Sequence, residues 1–190
     1  MHVMRPLFAP AAAFAVLAGI APAAAAQLAP KLPIELGVDA SIGTDDLTDA
    51  TSIQVPLQRL RVGFFVSPRL SVEPGLVLTH TSGDGVSFTS FGGDVGLLAH
   101  LTGVPTGRTR TPGVFVRPFV GLSRSSFDID AGTSGSTTQA NVGAGLGVKL
   151  PVGDRLAWRL EGAYTRALKT DDLPAINAFA LTVGLSFHTR

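Results

Sequence analysis

Apolar and polar residues alternate with a period of two along most of the chain, from about residue 33 to about residue 188. Successive side chains of a β-strand point to opposite faces, so this period predicts strands. Beyond the first 26 residues, no window holds the run of about 20 apolar residues that a transmembrane helix needs. We expect eight strands, at about residues 33–43, 52–66, 70–80, 87–101, 113–125, 138–150, 155–167 and 176–188.

The sixth segment separates its two faces most clearly. One face carries Ala140, Val142, Ala144, Leu146, Val148 and Leu150, and the other carries Asn141, Gly143, Gly145, Gly147 and Lys149. Most segments are ten to fifteen residues long, and a tilted strand needs about 9–11 residues to cross a bilayer. Length and alternation together therefore fit a membrane-spanning strand, although alternation alone also fits a soluble β-sandwich.

The charged residues favour the membrane interpretation. When the apolar faces are assigned to one side, the opposite side collects five acids and five bases: Glu35, Asp39, Glu73, Asp94 and Glu161, with Arg59, Arg61, Arg117, Lys149 and Arg159. A membrane barrel has lipid outside and a polar interior. Charges that are balanced in sign suit a narrow interior where each must find a partner. Ordinary solvated charges on a sandwich remain the alternative.

The first 26 residues have the composition of a secretory signal peptide. Arg5 precedes an alanine-rich apolar run, and Ala24 and Ala26 occupy the two positions that signal peptidase selects for small side chains. We expect cleavage before Gln27, which leaves residues 27–190 as one barrel domain. Without Arg5 the mature chain has fourteen basic and fourteen acidic residues, a balance that does not favour nucleic-acid binding.

The composition excludes several classes of site and of fold. The chain has no cysteine, which excludes disulfides and thiolate catalysis. Its 22 glycines would destabilise a helical bundle, whereas glycine serves a tightly curved sheet. The few histidines form no metal-binding motif with each other or with carboxylates, so we expect no metal site.

The predicted connections alternate between turns and loops. The turns are 67–69, 102–112 and 151–154, and the loops are 44–51, 81–86, 126–137 and 168–175. The loops carry eight aspartates: Asp45, Asp46, Asp49, Asp84, Asp128, Asp130, Asp171 and Asp172. Carboxylates are ligands for divalent cations. We therefore hypothesise weak cation bridging between these loops and lipid phosphates, with simple solubility as the alternative.

Several segments resemble the small eight-stranded outer-membrane barrels of the OmpA-like and opacity-like kind. They are Val114 to Leu122, Asn141 to Val148, Trp158 to Tyr164 and Phe179 to Phe187. The resemblance covers nearly the whole mature chain and implies an all-β, eight-stranded antiparallel up-and-down transmembrane barrel with no cofactor and no catalytic residues. Two departures are the ending His188-Thr189-Arg190 after Phe187, where the family ends on an aromatic residue, and the scarcity of Tyr and Trp.

The leading hypothesis is a non-enzymatic barrel with a structural or surface-interaction role, its interior closed by the ten charges. The expected location is the bacterial outer membrane, reached by signal-peptide export. The expected partners are outer-membrane lipids, lipopolysaccharide and, during biogenesis, the barrel-assembly machinery. No nucleic acid is expected, and the protein is expected to be a monomer.

Two other functions stay open. His80 and Ser82 are similar in arrangement to the serine and histidine of outer-membrane lipid A deacylases, where histidine is the base for the serine nucleophile. Alternation places both residues on the lipid face, and the candidate acids to orient the histidine are Asp84 and Asp94. A narrow channel is the third possibility, although an eight-stranded barrel is only wide enough inside for side chains.

Overall fold

The computed structural model describes residues 33–45, 51–83, 86–102, 111–129, 133–170 and 173–189, without the side chains of 45, 51–58, 80–83, 86–88, 127–129 and 133. The predicted signal peptide, residues 1–26, and its cleavage site lie outside these ranges. Across the described residues, no helix is long and apolar enough to cross a membrane.

The eight strands form one closed antiparallel barrel in sequence order, because β8 also pairs with β1. This confirms the predicted all-β, eight-stranded up-and-down fold. The strands are β1 Ile34–Asp45, β2 Thr51–Ser67, β3 Leu70–Gly83, β4 Val86–His100, β5 Gly113–Ile129, β6 Thr133–Pro151, β7 Leu156–Ala167 and β8 Ile176–His188.

The barrel is apolar outside and charged inside. Leu78 is 61% exposed and Val120 is 60% exposed on the outer surface, whereas Glu73 and Arg159 are fully buried. This distribution is the reverse of a soluble protein and is typical of a barrel surrounded by lipid. An exposed Trp158 and a Tyr164–Phe179 ring pair, 5.1 Å between centroids, add aromatic residues to the outer surface.

The two ends of the barrel differ in their connections. We call "turn end" the end with the connections at 68–69, 101–112 and 152–155 and both termini of the barrel. We call "loop end" the end with the connections at 46–50, 84–85, 130–132 and 168–175. In outer-membrane barrels short turns face the periplasm and longer loops face the exterior. The connection at 101–112 departs from this rule, because it is the longest of the seven and lies at the turn end.

Two of the predicted loops are largely strand. Pairing in the β3–β4 hairpin continues to Gly83↔Val86, and pairing in the β5–β6 hairpin continues to Ile129↔Thr133. The predicted loops at 81–86 and 126–137 were therefore wrong in extent, and Asp45 and Asp128 lie in strands. The β3 and β6 tips are rich in Ser, Thr and Gly and polar on both faces, so alternation fades there although backbone pairing continues.

The longer hairpins raise part of the sheet above the rest of the barrel. The β6–β7 pairing stops at Asn141↔Ala167, while β6 continues to pair with β5 for eight more residues. The outward side chains of this extension include Arg124, Ser134 and Ser136, all exposed. Hydrophilic outward residues place the extension beyond the apolar belt.

The prolines within the strands disturb the strand register less than the loss of a backbone donor suggests. A charge–proline pair recurs at Glu73-Pro74 and Arg117-Pro118, which predicts local bulges because proline removes a ladder hydrogen bond. That prediction was wrong, since the register runs unshifted past both prolines. A register shift occurs instead where residues 55–58, which include Pro56, lie opposite Ala40.

Candidate functional site: the charged interior

All ten charged residues assigned to the inner face lie inside the barrel and contact one another. Glu35 and Asp39 come from β1, Arg59 and Arg61 from β2, and Glu73 from β3; the others come from β4 (Asp94), β5 (Arg117), β6 (Lys149) and β7 (Arg159 and Glu161). Alternation puts these side chains on the inner face. The barrel's closure then brings residues more than one hundred positions apart in sequence, such as Glu35 and Lys149, into contact.

Arg61 lies at the centre of one half of this network. Its Nε lies 2.9 Å from Oδ2 of Asp39, and one terminal nitrogen lies 2.5 Å from Oε1 of Glu35 and 3.3 Å from Oε2 of Glu73. Its other terminal nitrogen donates to Oγ of Ser186 at 2.7 Å. The guanidinium is thus fully used, as a buried arginine must be.

Arg159 and Arg117 connect the other half. Arg159 donates to Oε2 of Glu73 at 2.6 Å and to Oε2 of Glu161 at 2.5 Å. Arg117 donates to Oε1 of Glu161 at 2.9 Å and to Oδ1 of Asp94 at 3.1 Å. Both arginines therefore contact Glu161, and Arg159 also contacts Glu73. Glu161 bridges Arg117 and Arg159, which joins these pairs. Glu73 contacts four arginines, Arg59, Arg61, Arg117 and Arg159, which joins both halves into one network.

Solvent reaches the network from one side only. The side chains of Arg59 and Asp94 are 11% and 13% exposed, whereas those of Arg61, Lys149 and Arg159 are not exposed at all. Arg59 donates to Oδ1 of Asp94 at 2.6 Å. This partly exposed pair marks the loop-end boundary of the network.

Glycine makes room for the long charged side chains. A Cβ at Gly96 would lie 2.9 Å from Cγ of Arg117, and one at Gly75 would lie 2.7 Å from Nε of Arg59. At Gly37 and Gly184 a Cβ would overlap the side chains of Arg61 and Asp39. These four charged side chains therefore lie across glycines of neighbouring strands, the close approach for which strands use glycine.

Sequence patterning did not identify an aromatic layer at the turn end of the interior. Phe65 stacks on His100 with 5.6 Å between ring centroids, and His188 and Phe115 pack beside them. Phe115 also faces Arg159, whose guanidinium carbon lies 4.6 Å from the ring centroid. All four rings are buried. The signal was available, because Phe65, His100 and Phe115 share a strand face with an inner charge and His188 lies on the polar face of β8.

The aromatic layer carries few hydrogen bonds. Neither ring nitrogen of His100 has a hydrogen-bond partner among the described residues, and neither does Oγ of Ser71. Nε2 of His188 lies 3.5 Å from Oε2 of Glu35. These histidines act mainly as flat apolar surfaces that close the turn end of the lumen.

The candidate deacylase residues are only partly placed. His80 and Ser82 lie in β3 opposite Thr89 and Ser87 of β4, but their side chains and all of Asp84 are outside the described part. Asp94 is committed to Arg59 and Arg117 inside the barrel. It therefore cannot orient a histidine on the outer face of β3.

The positions of the acidic loop side chains lie mostly outside the described part of the chain. Asp46, Asp49, Asp84, Asp130, Asp171 and Asp172 lie outside the described residues, as do the side chains of Asp45 and Asp128. Within the part that the structure describes, no three histidine or carboxylate side chains converge as a metal site would require. Cation bridging by the loops stays a prediction.

Solved structures with the same fold come from several bacterial surface proteins. Neisserial surface protein A has a TM-score of 0.61 at 12% identity, with 82% of this chain and 96% of that chain covered. Ail, the attachment invasion locus protein of Yersinia pestis, has a TM-score of 0.51 at 13% identity, with 83% and 97% covered. The outer membrane enzyme PagL has a TM-score of 0.50 at 13% identity, with 78% and 97% covered.

These likenesses establish the fold and leave the role open, because an enzyme is among them. None of the curated proteins compared matches the chain. Residues 11–187 match the family described as outer membrane protein beta-barrel domain. Together with the closed eight-stranded barrel and its apolar outer face, that match establishes that the chain belongs to this family of bacterial outer-membrane barrels.

Proposed function

We propose that the protein is a non-enzymatic outer-membrane barrel with a structural or surface-interaction role, exported by its signal peptide and closed inside by the charge network. The observation that carries the proposal is the network itself. Five acids and five bases bridge the lumen, and Glu73, Arg61 and Arg159 at its centre are fully buried.

The network supports a closed barrel over a channel. An ion crossing the lumen would have to separate pairs such as Arg61–Glu35 and Arg159–Glu73 in a low-dielectric interior. Removing one partner from a buried pair costs about 3–5 kcal/mol. The layer of Phe65, His100, Phe115 and His188 adds a second barrier at the turn end.

The geometry around Asp94 supports a non-enzymatic role. Of the two acids available to a deacylase-like site, Asp94 is held by two arginines inside the barrel. Histidine in a serine–histidine site needs a third group to orient it. The residues described offer none on the lipid face beside His80.

The raised sheet supports the surface-interaction part of the proposal. The β5–β6 hairpin extends beyond the apolar belt and presents a hydrophilic outward face. Ail, which shares the fold, is named for attachment and invasion and has also been solved in complex with the heparin analogue sucrose octasulfate. A hairpin raised above the membrane is positioned for such contacts.

Planar bilayer recording of the purified protein tests the closed interior. We expect no steady conductance from the natural protein, and conductance steps from Arg61→Ala and Arg159→Ala, because each leaves carboxylates without their cation. Arg124→Ala, at an exposed position on the raised sheet, is the matched control and should stay silent. A steady pore in the natural protein would contradict the proposal.

Hydrolysis of lipid A tests the enzyme alternative. Membranes that contain the protein should release no acyl chain from lipid A, and Ser82→Ala should change nothing. Acyl release that Ser82→Ala abolishes would establish the hydrolase instead. Outer-membrane fractionation and heat-modifiable gel mobility should accompany both assays, because they establish that the barrel is folded and correctly placed.

A further inference from the structure

We propose that the raised part of β6, residues 134–138, is a docking edge for an extended peptide segment of another protein that carries an acidic side chain. The peptide adds to β6 as a further strand, on the side where β7 has already ended. This inference deepens the surface-interaction part of the proposed function, because it names the kind of partner and the way in which it binds.

The edge of β6 is free above the barrel. Pairing between β6 and β7 stops at Asn141↔Ala167, whereas pairing between β6 and β5 continues to Ile129↔Thr133. Among the described residues, no strand pairs with the β7 side of residues 134–138. A strand edge with unpaired backbone groups is a template on which another extended chain can pair.

The unpaired backbone groups belong to Ser134, Ser136 and Thr138. The amide nitrogen of Leu168 donates to the carbonyl oxygen of Ala140 at 2.8 Å, so Ala140 directs its backbone groups toward β7. In an antiparallel ladder the N–H and C=O of one residue point to the same side, and that side alternates along the strand. Ser134, Ser136 and Thr138 therefore direct their N–H and C=O groups at the free edge, the arrangement that strand addition uses.

The β7–β8 connection leaves this edge uncovered in the part that is described. The side-chain nitrogen of Gln139 donates to the carbonyls of Leu168 and Pro174, which holds the connection beside Gln139. The amide nitrogen of Thr170 donates to the carbonyl of Leu173, so the connection turns back there. The outward side chains of the docking edge are all exposed. A peptide can therefore approach them from the side of β7.

The docking edge lacks the features that protect strand edges from pairing. Residues 134–138 read Ser-Gly-Ser-Thr-Thr, without a charge or a proline. The β5–β6 register runs unshifted through them, so there is no bulge either. Natural proteins place charged residues, proline or a bulge on exposed edges to prevent pairing with another chain. An edge without them is suited to accept a strand.

Arg124 gives the docking edge a preference for an acid. Its side chain is exposed on the outward face, and one terminal nitrogen donates to Oγ of Ser136 at 3.2 Å. Among the described side chains Arg124 contacts no carboxylate, so its charge is available to a strand that pairs beside Ser136. Asp128 holds the register position opposite Ser134. One acid beside Ser136 or Thr138 is therefore favoured over a polyanion.

A second copy of this chain fits the docking edge poorly. Two barrels in one membrane have the same orientation, so their β6 strands cannot run antiparallel to each other. In a symmetric pair these strands would cross at about twice their tilt of about 35–45°, which is too steep for a hydrogen-bonded ladder. The pair would also bring two Arg124 side chains together. A separate extended peptide meets neither obstacle.

Hydrogen exchange measured by nuclear magnetic resonance in lipid nanodiscs tests the docking edge. The probe is a threonine-rich peptide of about seven residues with one central glutamate, because threonine favours strands. In the free protein the amides of Ser134, Ser136 and Thr138 should exchange fast, whereas those of Gly135 and Thr137, which face β5, should be protected. Saturating peptide should slow exchange of the first three by about tenfold and leave the other two unchanged.

Two altered peptides separate backbone pairing from charge attraction. A peptide with lysine in place of the glutamate should bind several-fold more weakly. A peptide that keeps the glutamate but is methylated at every backbone nitrogen should give no protection, because it has no donors for the ladder. In Arg124→Gln the glutamate and lysine peptides should bind equally, since the charge that distinguishes them is gone.

Two variants at one position test the ladder from the side of the protein. Ser136→Pro removes the central backbone donor, and proline is tolerated where a strand edge faces solvent. Ser136→Ala loses the same hydroxyl but keeps the donor. Peptide affinity should fall by about tenfold in Ser136→Pro and by less than about twofold in Ser136→Ala. If Ser136→Pro fails to fold in a heat-modifiability assay, Ser134→Pro and Ser134→Ala replace the two variants.

Four results would overturn the docking edge. They are no protection by the glutamate peptide, protection by the methylated peptide, equal binding of the glutamate and lysine peptides to the natural protein, and unchanged affinity in the proline variant. Bilayer conductance is a separate measurement. A conducting barrel that shows the protection would refute the closed interior and support the docking edge, whereas a silent barrel without protection would refute the docking edge alone.

Discussion

The two halves of the lumen are built on the same strands but hold different contents. Toward the turn end, Arg61, Lys149, Arg159, Glu35 and Glu73 meet in a fully buried network. Toward the loop end, several inward positions, such as Ser90, Ser123 and Thr165, carry small polar side chains that are half-buried, and Phe119 turns its ring inward over Gly143. Strand alternation is identical in both halves, so the difference between them lies in the length and charge of the inward side chains. This difference makes the turn-end half sensitive to substitution and the loop-end half tolerant.

The largest expected effect comes from the centre of the network. Arg61→Ala leaves Glu35, Asp39 and Glu73 without a shared cation and should lower the free energy of unfolding by about 3–5 kcal/mol. Urea unfolding in lipid vesicles measures the change. The exposed Arg124→Ala should shift stability by less than about 0.5 kcal/mol. Equal losses in the two variants would remove the distinction between the halves.

Packing at glycines should differ between the halves as well. Gly147→Ala would push a methyl group against the carbonyl oxygen of Leu160 and the ring of Phe115, and such overpacking costs about 1–3 kcal/mol. Gly92→Ala, toward the loop end of β4, should change stability by less than about 1 kcal/mol in either direction, because the nearest atoms to its added methyl group lie 3.2 to 3.6 Å away. Unfolding midpoints of both variants under identical conditions test this, and a larger loss at Gly92 would contradict this difference between the halves.

A pair of double-mutant cycles isolates the coupling in each half. Glu35 and Lys149 contact each other directly, so Glu35→Gln with Lys149→Met should show a coupling energy of about 0.5–3 kcal/mol. Ser90 and Ser125, whose Oγ atoms lie 3.4 Å apart, should couple by less than about 0.5 kcal/mol when both become alanine. Unfolding of the single and double variants provides both coupling energies. Additive effects at Glu35 and Lys149 would mean that the two residues do not stabilise each other.

A local effect is expected at Gln139. Nε2 of Gln139, one of the few buried side chains near the loop end, donates to the carbonyls of Leu168 and Pro174. Gln139→Ala should cost about 1 kcal/mol and speed hydrogen exchange in residues 168–170 without affecting β1. The exposed neighbour Thr138→Ala serves as the control. Unchanged hydrogen exchange in residues 168–170 would mean that the two hydrogen bonds of Gln139 do not stabilise this connection.

Particular residues mark the limit of what patterning predicts. Alternation placed Arg117 and Glu161 on the inner face, but it could not say that Arg117 reaches both Glu161 and Asp94, because that depends on strand register and tilt. Phe115 lies on the same face as Arg117, but alternation gave it no role. Its position against His100 and Arg159 follows from closure of the barrel, which brings β4, β5 and β7 together.

The extent of the strand tips was predicted wrongly for a different physical reason. In Ser134 to Thr138 both faces are polar, so hydrophobic periodicity has no signal to read, and the segment resembles a loop. Backbone hydrogen bonding to β5 needs no side-chain pattern and continues to Thr133. At Pro74 and Pro118 the error was the opposite, because the predicted bulges are absent. A missing donor interrupts one ladder without inserting a residue.

The sequence by itself determined the number of strands, the face on which each side chain lies and the balance of inner charges, because a period of two is a local property of extended backbone. Only the tertiary structure decided which charges pair, where the aromatic layer forms and how far the hairpins rise. Those depend on the register between strands and on the closure of β8 against β1. Register and closure bring together residues that are distant in the chain, and no local pattern encodes their separation in space.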